Sequence, residues 1–227
     1  MGKKKIIGLC LAVGLMVGVV GGSLAWFTDS DTVTNRFSTQ GNGDNESNGI
    51  AIVEKWNEEK GKNILPGTEV EKVVQVKNKA SYDQYIRVKL KKVWKDSEGN
   101  EIKNNIAWIK GNKVYATEQP ESKKVTLDDD LIELNFGEDN KNLGVGTGQW
   151  TDKTNDTAEL TKGYYYYNGI VKPKELTNNL LESVTLSKDA TSEYKNIQFD
   201  VIVDAEGIQV ANGAAQDAWG YTPGATK

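Results

Sequence analysis

The chain has 227 residues, 28 basic and 32 acidic side chains, a formal net charge of −4, no histidine, one cysteine and two methionines. Without His there is no Ser-His-Asp triad and no Cys-His dyad, and a lone cysteine offers no disulfide within the chain. The acidic balance argues against nucleic acid as a partner, because phosphate binding needs a basic surface.

In chain order the first feature is a secretory signal. Lys3, Lys4 and Lys5 form a basic start, Ile6 to Val20 is apolar and Gly-rich, and Ser23 and Ala25 place small residues at the −3 and −1 positions. The pattern predicts cleavage after Ala25, leaving Trp26 as the new end. The alternative is a retained transmembrane anchor, since about 18 to 20 apolar residues span a bilayer. Cys10, Met1 and Met16 all lie in this segment. The mature product is therefore expected to lack His, Cys and Met altogether, and to carry 25 basic against 32 acidic residues, a net charge of −7.

Residues 26–40 alternate with period two. Phe27, Val33 and Phe37 fall on one edge, and Thr28, Ser30, Thr32, Thr34, Arg36 and Ser38 on the other, which predicts an extended strand. Asp29 and Asp31 interrupt its apolar edge. Residues 41–48 are Gly-, Asn- and Ser-rich and read as a flexible linker.

From residue 49 to 221 the punctuation is that of one all-β domain, with 222–227 as a tail. Strands are expected over Ile50–Trp56, Val70–Lys77, Tyr85–Trp94, Leu131–Phe136, Lys162–Val171, Leu181–Leu186 and Asn196–Ala205, with a type II turn at Leu65-Pro66-Gly67-Thr68. In the last strand Ile197, Phe199, Val201, Val203 and Ala205 are assigned inward, and Gln198, Asp200 and Asp204 outward. Short helices are expected within Lys172–Leu181 and Gly213–Trp219. Residues 95–130 and 137–161 are polar and read as long loops with short hairpins. The sum is a β-sandwich of jelly-roll type.

Few constellations carry chemistry. Asp128-Asp129-Asp130 is the densest acidic run, but no EF-hand spacing surrounds it, so it reads as a solvated turn and no metal ligand is assigned. The run Tyr164 to Tyr167 is either a stacking platform for sugars or a strand whose tyrosines alternate between core and solvent. A Lys isopeptide crosslink would draw its acyl side from Asp29, Asp31 or Asn35, with burial favouring neutral Lys and a protonated acid. No catalytic residue and no cofactor is assigned, and the chain is read as a non-enzyme.

The run Ala25-Trp26-Phe27-Thr28-Asp29-Ser30-Asp31, placed after a Gly-rich signal and leading to Asn35-Arg36-Phe37, resembles the TasA/camelysin family of Gram-positive bacteria. It looks closest to clostridial biofilm matrix fibre proteins of the BsaA type, which a SipW-type signal peptidase processes. Glu54-Lys55-Trp56, Leu65-Pro66-Gly67, Val76-Lys77-Asn78, Tyr85-Ile86-Arg87-Val88 and Val203-Asp204-Ala205-Glu206-Gly207-Ile208-Gln209 support it more loosely. The resemblance covers residues 1–94 and 196–220.

It implies a jelly-roll subunit of a secreted, extracellular matrix fibre. The segment freed by the peptidase, with Trp26, Phe27, Val33, Asn35 and Phe37, would act as a donor strand inserted into the next subunit; the alternative is that it pairs within its own subunit as an ordinary first strand. The expected partners are other copies of the chain, the SipW-type peptidase, and an accessory or minor matrix subunit. Protease activity ascribed to some camelysins does not carry over, since the chain has no His-Glu-x-x-His motif. The competing readings are a non-polymerising secreted adhesin or carbohydrate-binding module using the tyrosine strand and the long loops, and a hydrolase using carboxylates alone.

Overall fold

The computed structural model describes the backbone of residues 27–28 and 31–33, and the chain over 49–56 and 64–224. The expected signal segment and the linker at 41–48 lie outside the described residues.

Thirteen strands and one α-helix are described: β1 (Phe27–Thr28), β2 (Asp31–Val33), β3 (Ile50–Trp56), β4 (Glu69–Asn78), β5 (Gln84–Lys95), β6 (Ile106–Lys110), β7 (Lys113–Tyr115), β8 (Lys123–Thr126), β9 (Ile132–Asn135), β10 (Trp150–Asp152), β11 (Tyr165–Tyr167), β12 (Leu181–Leu186), β13 (Gln198–Gln209) and α1 (Ala214–Trp219). One sheet runs β1-β13-β5-β11-β10, with β2 also on β13, and the other runs β3-β4-β12-β9. A third, small sheet has the order β7-β6-β8. Among the described residues no helix is long and apolar enough to cross a membrane.

The architecture is an all-β sandwich, as the strand pattern predicts. Its spine is the antiparallel pair β5–β13, in register from Gln198 opposite Lys95 to Gln209 opposite Gln84. Alternation along these strands aims Ile86, Val88 and Trp94, and Phe199, Val201, Val203 and Ala205, into the interior, where all are at most 1% exposed. The second sheet answers with Ile50, Ile52, Val70, Val74, Val76, Val184 and Leu186, and these side chains form one continuous core. The chain passes between the sheets after β4, β9, β11 and β12, as a jelly-roll-like sandwich requires.

The turn at Leu65–Thr68 forms as expected. Gly67 takes φ +81°, and the Thr68 amide donates to the Leu65 carbonyl at 2.9 Å. The expected C-terminal helix is also present and stops at Gly220, whose amide donates to the Gln216 carbonyl at 3.0 Å.

Several expectations need correction. The strand expected over Lys162–Val171 is only Tyr165–Tyr167, because Gly163 turns the chain before it (φ +86°) and Asn168 bends it afterwards, donating to the Gly144 carbonyl and to Thr151 Oγ1 at 2.8 Å each. No helix forms within Lys172–Leu181. That segment lies along β4 instead: the amides of Thr177 and Leu180 donate to the carbonyls of Val76 and Val74, at 2.9 and 2.8 Å. Tertiary pairing overrides local preference there. Residues 95–130 are long loops with short strands, as expected, and those strands assemble into the sheet β7-β6-β8. The last strand continues past Ala205 to Gln209.

The run Tyr164–Tyr167 does not alternate between core and solvent. Tyr165 and Tyr167 join the main core, while Tyr166 faces the other way into a second apolar layer with Ile208, Ala215 and Trp219. This layer covers the outer face of the sheet and encloses Arg87. Its Nε and Nη2 donate to Glu206 Oε2 at 3.0 and 2.7 Å, and its Nη1 to the Leu160 carbonyl at 2.8 Å. The guanidinium carbon lies 3.9 Å from the Tyr164 ring centre and 4.8 Å from that of Trp219. A buried charge is tolerable only when paired and hydrogen-bonded in this way.

Candidate functional site

The candidate site is the outer edge of β13. Its other side is fully paired with β5, and the parallel strands β1 and β2 lie along the outer one. Phe27 is opposite Phe199 and Thr28 opposite Asp200; Asp31, Thr32 and Val33 are opposite Val203, Asp204 and Ala205. Both pieces hold one register, so they are two parts of a single strand track. Phe27, Asp31 and Val33 thereby stand level with Phe199, Val203 and Ala205, the inward positions of β13.

The edge is shaped by how the two sheets meet. β3 is the edge strand of the second sheet on the same side of the sandwich. At the Gly207 end the edges converge: a Cβ placed on Gly207 would lie 2.6 Å from Ile50 Cγ2. Gly207 is required here for close approach, not for an unusual φ. Among the described residues β3 is hydrogen-bonded only to β4 and leaves the outer side of β13 to the N-terminal track. An unpaired edge is a template for strand addition.

Charge is drawn into the opposite end of this region. Lys72 sits on the inward face of β4 between Val70 and Val74, is fully buried, and pairs with Glu54 of β3 at 3.0 Å. Asp200, assigned outward by alternation, is 1% exposed and pairs with Lys95 of β5. Alternation gave its face but missed its burial.

The other sequence assignments resolve as follows. Ser23, Ala25, Trp26, Asp29, Asn35 and Phe37 lie outside the described residues, so the cleavage signal and two of the three isopeptide candidates have no structural counterpart here. Asp31, the third, is placed by its backbone opposite Val203. The Asp128–Asp130 run is a turn: Asp128 Oδ1 accepts from the Asp130 amide at 2.9 Å and caps a short 3₁₀ segment. Among the described residues no group of three or more His, Cys, Asp or Glu is arranged to hold a metal. Tyr165 and Tyr167 are 7% and 9% exposed, which leaves the tyrosine strand no face for a sugar.

Comparison with protein-family models, curated proteins and solved structures gives no match.

Proposed function

We propose that this chain is a structural subunit of an extracellular matrix fibre, joined head to tail by its N-terminal segment after the signal is removed. The observation that carries this reading is the single parallel register that residues 27–28 and 31–33 share along the outer edge of β13. A strand held by one edge, and joined to its domain through a Gly- and Asn-rich stretch, can make the same backbone contacts with another copy. Such a contact is heterologous and does not close, so it propagates as a filament. The absence of His, Cys and Met from the product after Ala25 suits a passive extracellular polymer, since it has neither oxidisable sulfur nor an imidazole switch. The rival reading as an adhesin or carbohydrate-binding module would rest on the long loops, since Tyr165 and Tyr167 pack into the core.

The test is deletion of residues 26–37 from the processed protein. Negative-stain microscopy of the secreted wild type is expected to show fibres, and the truncated protein is expected to remain a folded monomer by circular dichroism and light scattering. A synthetic peptide of residues 26–39 is expected to bind the truncated protein and to cap growing fibres. Fibres formed by the truncated protein would sink the proposal.

A further inference from the structure

The small sheet β7-β6-β8 has two unlike faces. Ala107, Val114 and Val125 are buried in the main core, and Ile109 packs against it. The alternate residues form the other face, and none of them belongs to either apolar cluster. Directly opposed residues on adjacent strands share a face. Trp108 is thus flanked by Tyr115 on one side and Lys124 on the other, and the neighbouring cross-strand pair is Lys110 opposite Lys113. Trp108 and Tyr115 are half-buried, and the three lysines are exposed.

The charges on this face are arranged against stability. Lys110 and Lys113 are like charges placed directly opposite, a destabilising arrangement in an antiparallel pair. Among the described residues none of Lys110, Lys113 and Lys124 takes part in an ion pair, whereas Lys123, on the alternate side of β8, is paired with Glu193. The segment 103–126 holds five lysines and two glutamates in a chain that is acidic overall. A local cationic patch on an acidic protein, centred on an aromatic pair, marks a binding surface for an anion that also has an apolar face.

We propose that this face binds an acidic polysaccharide, with carboxylates on Lys110, Lys113 and Lys124 and the C–H face of a sugar ring against Trp108. The three strands span only about 10 Å, a footprint that suits one or two sugar units. A uronate chain alternates ring faces and carboxylates, as the surface alternates rings and ammonium groups. Nucleic acid fits less well, because three lysines on one short sheet neutralise few phosphates of a strand that carries one on every nucleotide. This inference does not depend on the fibre reading.

The test uses the secreted, processed protein and polygalacturonate as the probe, with dextran and an oligothymidylate in parallel, followed by calorimetry and tryptophan fluorescence across a salt series. Polygalacturonate is expected to bind, more weakly as salt rises, and dextran and the oligonucleotide are expected to bind far less. The triple variant Lys110→Glu, Lys113→Glu, Lys124→Glu should abolish binding, and the triple Lys→Arg variant should keep it. Trp108→Ala should weaken binding about tenfold, the loss of one well-placed aromatic contact, while leaving its salt dependence unchanged. Circular dichroism and urea midpoints check that each variant is folded. No binding to polygalacturonate, binding undiminished in folded charge-reversed protein, or equal binding to the oligonucleotide would each overturn the proposal. So would loss of self-association in the charge-reversed variant, which would make the face a contact between copies.

Discussion

At the scale of single residues, the tyrosines decide how the protein responds to pH. Burial pushes the phenols of Tyr165, Tyr166 and Tyr194 above the ordinary tyrosine value of about 10. For Tyr166 the neighbouring Arg87 works against that shift without cancelling it. A phenol whose folded pKa is raised contributes stability that is whole below pH about 10 and is lost as pH climbs through the folded value, because the unfolded chain sheds its proton first. Carboxylates act at the other end. Hydrogen bonds from Thr161 and Lys153 hold Asp156 down to about 2, so its contribution is present above the ordinary carboxylate range and is lost as pH falls towards 2. The chain has no His, the side chain whose ordinary pKa lies between about pH 5 and 8. The expected urea-unfolding profile is therefore level across that window and falls above pH 10. Tyrosinate absorbance should rise in two stages, with Tyr165, Tyr166 and Tyr194 ionising only as circular dichroism reports unfolding. A single stage complete before unfolding would contradict the burial of these phenols.

At the scale of elements, the spine strands were legible because their signal is pure alternation. Ile86, Val88 and Trp94 on β5, and Phe199, Val201, Val203 and Ala205 on β13, all face the core as the sequence pattern requires. Elements whose placement depends on a distant partner were not legible. Thr177 reads as part of a short helix until its amide and its hydroxyl are seen bonded to Val76, whose own amide donates to Thr177 Oγ1 at 3.0 Å. The sheet β7-β6-β8 is hidden because each strand is short and one face is cationic, so Lys110, Lys113 and Lys124 mask the apolar positions Ala107, Val114 and Val125. The second apolar layer escapes for a different reason: a strand buried on both faces loses its period, and Tyr166 cannot be told from its neighbours by residue type. Gly207 was likewise unreadable as a packing glycine, since its need comes from Ile50 on another sheet. That need is testable. Gly207→Ala puts a methyl 2.6 Å from Ile50 Cγ2, an atom on a β-branched side chain that cannot swing aside. The variant is expected to lose about 1–3 kcal/mol in urea unfolding, and Ile50→Val, which shortens the other branch of that side chain while keeping Cγ2, should not restore it. A neutral Gly207→Ala would mean that β13 and β3 do not close on each other there.

At the scale of the whole molecule, the N-terminal track poses a competition between closure and exchange. Residues 27–28 and 31–33 already lie on the β13 edge of their own domain. If residues 41–48 are the flexible linker that their composition predicts, the segment competes for its own edge at an effective concentration of about 1 mM. A second copy in dilute solution cannot match this, so a self-paired monomer is the stable competitor of the fibre. On the fibre reading, growth then depends on delivering subunits whose edge is still empty, which is the state of a chain whose N-terminal segment remains held by the signal at the membrane. The expected consequence is a strong dependence on history. Mature protein refolded from denaturant at micromolar concentration should be monomeric by light scattering, and refolding at rising concentration should shift it progressively to oligomers. The truncated protein lacking residues 26–37 should stay monomeric at every concentration. Wild-type protein that polymerises fully after dilute refolding would show that self-pairing is too weak to compete. The parallel strand seen on β13 would then belong between copies and not within one.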